Sequence, residues 1–422
     1  MSRRRQVGGR RVWIVNHYAE GPDRPGGPRH YQFAQQLQGH GRVVTVFAAG
    51  LNHQTGTSDR VARGRLFATT DLDGVRFVWL RTFPYRGNTW RRQVNMLSFL
   101  LVFLVVQARF ERPDVILGSS VHPFAALGAW LAATIRRARF VFEIRDLWPQ
   151  TLVDLGDLRM GSPGERTLRW IEAWLVRHAD AVVTLLPGMR DYLSGQGLPA
   201  AHVVYVPNGV DLAAFDRAEI PPAVPATRVA QVAASVAAMR SEGRLVFGYL
   251  GAIGRVNRVD VIVAALREAE RRAPGRIGLL IVGDGPERAA LQAGVSQRDP
   301  IAFHASVEHE LIPHLLRGLD AGIVHTTRTP VYRYGISFNK LYEYMAARLP
   351  VLFACETAFD PVAENRAGIT IPPDDPVALG RAMLELASAE PGDRAAMGAR
   401  GRAFVEQAHD AASLARALAS VL

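Results

Sequence analysis

Short apolar runs alternate with helix-period segments along most of the chain. VWIVN (12–16) reads as a first buried strand, HYQFAQQLQGHG (30–41) as a helix ended by glycine, and VVTVFAA (43–49) as the next strand. VRFVWL (75–80), DVILGSS (114–120), FVFEI (140–144), AVVTLL (181–186) and VVYVP (203–207) continue the strand series, with helical patterns at 122–136 and 163–178 between them. Strands separated by helices predict a parallel, doubly wound sheet. Residues 218–240 then turn rich in Ala, Val and Pro, which predicts a linker or a peripheral helix. Alternation restarts with strands at 245–251, 277–283, 301–305, 321–325 and 351–355 and helices at 259–272 and 286–293, and it closes on a helix from about 394 to 420.

The pattern therefore predicts an α/β chain of two Rossmann-like, doubly wound parallel-sheet domains. They are expected at 1–208 and 245–400, with 209–244 as the linker or peripheral helix and 401–422 as a C-terminal helix. Ligands of such sheets bind beyond the carboxyl ends of the strands, so a cleft with the two domains facing across it is expected to hold the chemistry.

A length of 422 residues suits two such domains, and 48% hydrophobic with 21% charged residues excludes disorder and coiled coil. Cys355 is the sole cysteine, which excludes an intrachain disulfide and a cysteine zinc cluster and fits a cytoplasmic setting. MSRRRQVGGRR is followed only by VWIV, too short an apolar stretch for a secretion signal.

Charge changes the picture more. Residues 1–150 hold 22 arginines against 9 acidic residues, so the whole +11 net charge sits in the first third. An anionic membrane surface or an acidic substrate fits that imbalance. Nucleic acid does not, because no helix-turn-helix, RNA-binding aromatic motif or zinc finger is visible. The longest apolar run, MLSFLLVFLVV (96–106), is about half a bilayer span and is flanked by Arg91, Arg92 and Arg109. It reads either as a core helix or as an interfacial helix resting on lipid headgroups.

Arginine supplies every cation but one: Lys340 is the only lysine. It falls in YGISFNKLYEYMAA (334–347), where Gly335 permits close ligand approach, Ser337 or Asn339 is positioned to cap a helix, and the helix N-terminus suits a diphosphate. Lys340, Glu343 and Tyr344 share a helix face, so a cation for phosphate stands beside a carboxylate for ribose hydroxyls. The Gly335–Ile336–Ser337 backbone is expected to line the same site. In GYLGAIGRVNR (248–258) a strand ends at a turn containing Gly254, with Arg255 beyond it to reach the diphosphate. IVGDGPER (281–288) places Gly283 and Asp284 on a second loop of nucleotide-binding type. In the first domain, Gly26 and Gly27 precede a helix and are expected to approach phosphate. EIRDLWP (143–149) sends Glu143, Arg145 and Asp146 toward the cleft mouth, and His122 opens a helix after DVILGSS. His304, His309 and His314 are five apart, which is not metal-ligand spacing, and no metal is expected.

Taken in order, NHYA, GGPRHY, GVRFVWLRTFPYRGNTWRRQVNMLSF, FEIRDLWP, VPNGVD, LGAIGR, VGDGPE, YGISFNKLYEYMAARLPVLF and AGITIPPDD make the chain resemble the retaining family-4 glycosyltransferases over nearly its whole length. The bacterial enzymes of O-antigen and capsule assembly, including N-acetyl-L-fucosaminyltransferase-like members, are the similar subgroup. This resemblance implies the GT-B fold, metal independence, a donor-binding C-terminal domain and a last helix that packs back toward the first domain. It also implies a nucleotide-diphosphate sugar, UDP-linked, as donor substrate with no further cofactor. The acceptor is expected to be a glycan or a lipid-diphosphate-linked sugar at the inner face of the cell membrane.

Several positions depart from the family pattern. Its glutamate-x7-glutamate motif finds the second glutamate at Glu343, but the first falls on Gly335. Arg255 matches the diphosphate arginine, but no lysine follows, leaving Arg258 or Lys340 as the second cation. Arg145 stands where many relatives have histidine, and Phe338 where proline is common.

The expected chemistry is a front-face displacement. Arg255 and Lys340 would stabilise the leaving diphosphate, Glu343 would hold the ribose, and His122, Arg145 and Asp146 would orient acceptor or donor sugar. Two other readings share the fold: a sugar-nucleotide epimerase, and a non-catalytic sugar-nucleotide-binding partner.

Overall fold

A computed structural model describes residues 9–24, 28–52, 56–85, 87, 90–217 and 226–422. They divide into two compact α/β units. Asn208–Asp410 form one; the chain on either side of it forms the other, apart from a short loop after Gly21.

In chain order the first unit runs β1 (Arg11–Val15), α1 (Arg29–Gly39), β2 (Val43–Ala49), β3 (Phe67–Leu72), β4 (Val75–Leu80), α2 (Trp90–Val106), β5 (Val115–Ser120) and α3 (Pro123–Arg136). It continues with β6 (Arg139–Ile144), α4 (Gln150–Asp154), α5 (Pro163–His178), β7 (Ala181–Thr184), α6 (Met189–Gly195) and β8 (Val203–Tyr205). The sheet order is β3-β4-β2-β1-β5-β6-β7-β8. β5 is buried at every position, as a parallel strand covered on both faces must be.

One strand escaped the sequence reading. β3 pairs antiparallel with β4 at the sheet edge, so this sheet is not wholly parallel. The turn between them, Asp73-Gly74, holds both residues at positive φ (49° and 85°), as a tight hairpin requires.

The second unit runs α7 (Leu212–Arg217), α8 (Ala226–Ser241), β9 (Leu245–Leu250), α9 (Val259–Arg272), β10 (Ile277–Val282), α10 (Arg288–Ala293), β11 (Ile301–His304) and α11 (Ile312–Leu316). Then come β12 (Ala321–His325), α12 (Asn339–Ala346), β13 (Val351–Ala354), α13 (Pro361–Glu364), β14 (Gly368–Thr370), α14 (Pro376–Ser388) and α15 (Pro391–Ala408). Its sheet is β11-β10-β9-β12-β13-β14, parallel throughout.

Two boundaries differ from the sequence expectation. The Ala/Val-rich stretch expected as a linker or a peripheral helix contains the helix α8, but this helix is part of the second unit, with Val232, Val236 and Met239 buried in its core. The closing helix is two helices. α15 stays with the second unit, and only α16 (Ala411–Ala419) joins the first. There Leu414, Ala415, Leu418 and Leu422 share a core with Ala34 and Leu37 of α1.

Candidate functional site

In the first unit β1, β5 and β6 lie side by side, so the segments beyond their carboxyl ends converge. Asn16 and His17 follow β1, Ser119 and Ser120 end β5, His122 is the N-cap residue of α3, and Arg145 and Asp146 follow β6. Glu143 does not project toward solvent as expected. It is fully buried, and the Arg29 guanidinium donates to its Oε1 from Nε (3.0 Å) and Nη2 (2.9 Å). His30 Nε2 lies 2.8 Å from the other carboxylate oxygen. Burial alone would raise the Glu143 carboxyl, but Arg29 and His30 hold it well below the ordinary carboxylate range.

Arg29 also donates to the backbone carbonyls of Pro207 (2.6 Å) and Val206 (2.7 Å). On the far side of His30, Nδ1 lies 2.9 Å from Asn16 Nδ2, which in turn donates to Ser119 Oγ. A buried charged network thus ties α1 to four strand ends, those of β1, β5, β6 and β8. The signal for it was present: a glutamate inside the apolar strand FVFEI requires a cationic partner. Which cation would meet it was not legible, because Arg29 and His30 are more than 110 residues away in the chain.

His122 is completely buried, and its Nε2 lies 2.9 Å from His17 Nδ1. His17 stacks on Phe99 of α2 at 4.5 Å. Burial, with Arg92 adding to it, drops His122 to about 3, so it is neutral at physiological pH, and its Nδ1 has no hydrogen-bond partner. Arg145 is half-buried and Asp146 reaches solvent, yet the protein around Asp146 still pushes its carboxyl up, with Arg145 opposing. Gly26 and Gly27 lie outside the described residues.

In the second unit Lys340 is the second residue of α12. Its ammonium donates to Tyr249 Oη (3.0 Å) and Asn257 Oδ1 (3.2 Å) and lies 4.3 Å from the centroid of the Tyr249 ring. The side chain as a whole is half-buried, but its tip is wedged against Gly251, where an added Cβ would come within 2.9 Å of Nζ. Burial lowers this lysine to about 7, with the Glu343 carboxylate opposing. Both hydrogen-bond partners of the ammonium are neutral. A cation so placed lacks a hydrogen-bonded counter-ion and is suited to meet an anionic ligand.

The loop between β9 and α9 brings the other cations. Arg255 is exposed there. Arg258 is not a candidate for the diphosphate, because it is bound to Asp260 (3.0 Å) and Asp374 (2.8 Å). Of the two second-cation choices, Lys340 is the one whose charge is uncommitted. Arg255 and Arg258, with Glu287 and Thr327, line an open pocket of about 620 Å³ that Lys340 does not border.

Ser337 and Asn339 do not cap α12. Phe338 holds the N-cap position without a side-chain hydrogen bond, and its carbonyl accepts from Leu341 N (3.1 Å), so among the described residues the N–H groups of Asn339 and Lys340 are left to water or a ligand. Ser337 instead fixes the entry to the unit: its Oγ accepts from Asn208 N (2.8 Å) and its carbonyl from Asn208 Nδ2 (2.6 Å). Ile336 is buried in the core. Gly335 sits at φ 103° and ψ 179°, a conformation essentially restricted to glycine.

Glu343 is nearly buried on α12, and its Oε1 lies 2.8 Å from His309 Nε2. On the β10 loop, Gly283 is required by packing, since a Cβ there would stand 1.9 Å from the Gly251 carbonyl oxygen. Gly254 has no such constraint, with nothing nearer than 3.9 Å. Asp284 is engaged within the unit, accepting from Ser306 N (2.8 Å) and Ser306 Oγ (2.6 Å) and pairing with Arg288. Among the described residues no group of three or more His, Cys, Asp or Glu side chains is placed to hold a metal ion.

Comparison with known proteins agrees with the two-unit α/β fold. The pattern of a glycosyl transferase 4-like domain matches residues 26–209, and that of the group 1 glycosyl transferases matches residues 244–389. A protein of Escherichia coli K12 described as the colanic acid biosynthesis glycosyl transferase WcaI is 25% identical over 60% of this chain, and the match spans 61% of WcaI's length. WbjE of Pseudomonas aeruginosa, described as a glycosyltransferase, is 24% identical over 75% of this chain and 76% of its own. Among solved structures, the trehalose-6-phosphate protein from E. coli bound with UDP-2-fluoro glucose superposes with a TM-score of 0.69 at 14% identity, covering 97% of this chain and 98% of that one.

Proposed function

We propose that this chain, a glycosyltransferase of the GT-B fold, transfers a sugar from a UDP-linked donor with retention of configuration and without a metal ion. The acceptor is a lipid-diphosphate-linked sugar or glycan of bacterial surface polysaccharide synthesis. The transferred unit is an N-acetylated amino or deoxy sugar. The observation that carries the reading is the Lys340 ammonium, held by neutral groups at the uncapped start of α12.

The step breaks the bond between the sugar's anomeric carbon and the diphosphate oxygen. It forms a bond from an acceptor hydroxyl oxygen to the same face of that carbon. The hydroxyl proton passes to the departing phosphate oxygen, so no protein nucleophile is needed. Negative charge grows on the diphosphate as it leaves. Lys340, Arg255 and the first N–H groups of α12 offset that charge, which is the part a divalent metal plays elsewhere. Glu343, oriented by His309, accepts from the ribose hydroxyls. In the first unit Arg145 and Asp146 orient the acceptor, while neutral His122, fully buried against His17, positions the strand ends behind them and does not touch the sugar.

A UDP ligand is supported by the UDP-2-fluoro glucose in the structurally similar E. coli protein. A surface-polysaccharide acceptor is supported by the colanic acid role given for WcaI. A site at the inner face of the cell membrane follows from a lipid-linked acceptor.

The test is to follow UDP release from UDP-sugars with and without a polyprenyl-diphosphate-linked sugar, and to read the product anomer by proton NMR. Acceptor-dependent release with the donor's anomeric configuration kept is expected. Donor isomerised without acceptor would point to an epimerase, and an inverted anomer would end the retaining mechanism.

A further inference from the structure

From Met96 to Val106 helix α2 is apolar on every side but for Ser98, yet only one of its faces is covered. Met96, Phe99, Leu100, Phe103 and Val106 are buried, with Phe103 against Phe47 of β2 and against Gly128 of α3. The opposite face carries Trp90 (71% exposed), Leu97 (47%), Leu101 (55%) and Val105 (54%). At 100° per residue these four fall within about 80° of one another, forming one stripe along a helix of about 25 Å. A helix apolar on every side is ordinarily enclosed by protein. This one is not.

The same helical layer extends the surface. α2 packs on α3 and α3 on α5. Trp130 of α3 meets Trp174 of α5 at 5.4 Å, Trp174 meets Trp170 at 5.5 Å, and Trp170 is 60% exposed. Tryptophan with one buried and one wet side is the side chain that settles at a lipid–water boundary. On α2, α3 and α5 the exposed charged side chains have one sign: they are Arg91, Arg166 and Arg177, while Glu165 and Glu172 are buried. Just past these helices Arg109, Arg112 and Arg137 are exposed beside Glu111, Asp114 and Asp180. Among the described residues no helix is long and apolar enough to cross a membrane.

We propose that the Trp90–Leu97–Leu101–Val105 face of α2, with the tryptophans and arginines of the α3–α5 layer, docks the first unit on an anionic lipid bilayer. The apolar stripe enters the headgroup region, and the arginines pair with lipid phosphates. A second copy of the chain fits less well, because two such faces would bring arginines against arginines. The proposal rests on the lipid-linked acceptor reading and gives the surface by which the enzyme reaches that acceptor.

The experiment is vesicle flotation of the full chain with phosphatidylcholine alone and with phosphatidylcholine containing phosphatidylglycerol, at low and high salt. Wild type should float with the anionic vesicles, less so at high salt, and stay in solution with the neutral ones. Leu101→Glu, at an exposed position remote from the nucleotide-binding groups, should lower partitioning about tenfold or more. UDP-induced thermal stabilisation should be unchanged in this variant, which separates loss of docking from failure of the transferase reading. Wild type left in solution with both vesicle types would overturn the proposal. So would Leu101→Glu floating as well as wild type, or a wild-type dimer in solution that Leu101→Glu dissociates.

Discussion

In the proposed mechanism Lys340 is the residue on which the chemistry turns, and its state depends on pH. In the empty protein it titrates near 7, lowered by burial. Below that pH the ammonium is charged and attracts a diphosphate; above it, donor binding must first take up a proton. A sugar-diphosphate donor has no phosphate proton to lose near neutrality, so the dependence belongs to the protein. Donor affinity should be highest below pH 7 and weaken by up to about tenfold per pH unit above it, until the bound-state value is reached. Calorimetric titration with a UDP-sugar across pH 6 to 9 checks this, and a flat profile would remove Lys340 from direct contact. Composition singled out the chain's lone lysine as a candidate. Its partners were not legible: Tyr249 and Asn257 are 91 and 83 positions away. Nor did the sequence show why the motif's first glutamate is absent. The backbone at Gly335 has φ 103° and ψ 179°, which a glutamate would adopt only at a cost of about 1–3 kcal/mol.

Among the elements, periodicity recovered those that follow it. Strands such as 43–49 and 75–80 coincide with β2 and β4, and the predicted helices 163–178 and 259–272 coincide with α5 and α9. It missed β3, whose FATTDL lacks an apolar run, although the Asp-Gly turn behind it was a usable signal. It left α8 open between a linker and a peripheral helix, because alanine shows little contrast between a buried and an exposed face. The buried charges were the larger gap. Arg29 and Glu143 link α1 to β6 through a salt bridge with both side chains out of water. Glu143→Gln leaves the arginine without its counter-ion and should destabilise the first unit by about 3–5 kcal/mol in urea unfolding at neutral pH. Glu143 is depressed in the fold, so its contribution is fully present above the ordinary carboxylate range and is lost as pH falls through the native value. The variant and wild type should therefore converge in stability only in strong acid. A constant gap down to low pH would mean the carboxylate charge is not what stabilises the unit.

At the scale of the whole molecule, two α/β units were legible because strand and helix patterns repeat on each side of a change in texture. The return of a last helix to the first unit was implied by the resemblance, but its start was not legible, since nothing local in 394–420 marks the break at His409 and Asp410. Among the described residues the second unit gathers every proposed contact with the nucleotide diphosphate. The account therefore depends on donor binding governed by that unit. Its most direct test is calorimetric titration of the full chain and of Lys340→Ala with UDP and UDP-sugars at pH 6, after thermal melting has shown that the variant folds. Saturable binding by wild type, weakened roughly ten- to a hundredfold in Lys340→Ala, is the predicted result. Equal affinity in the two proteins, or no binding of any UDP ligand by wild type, would contradict it.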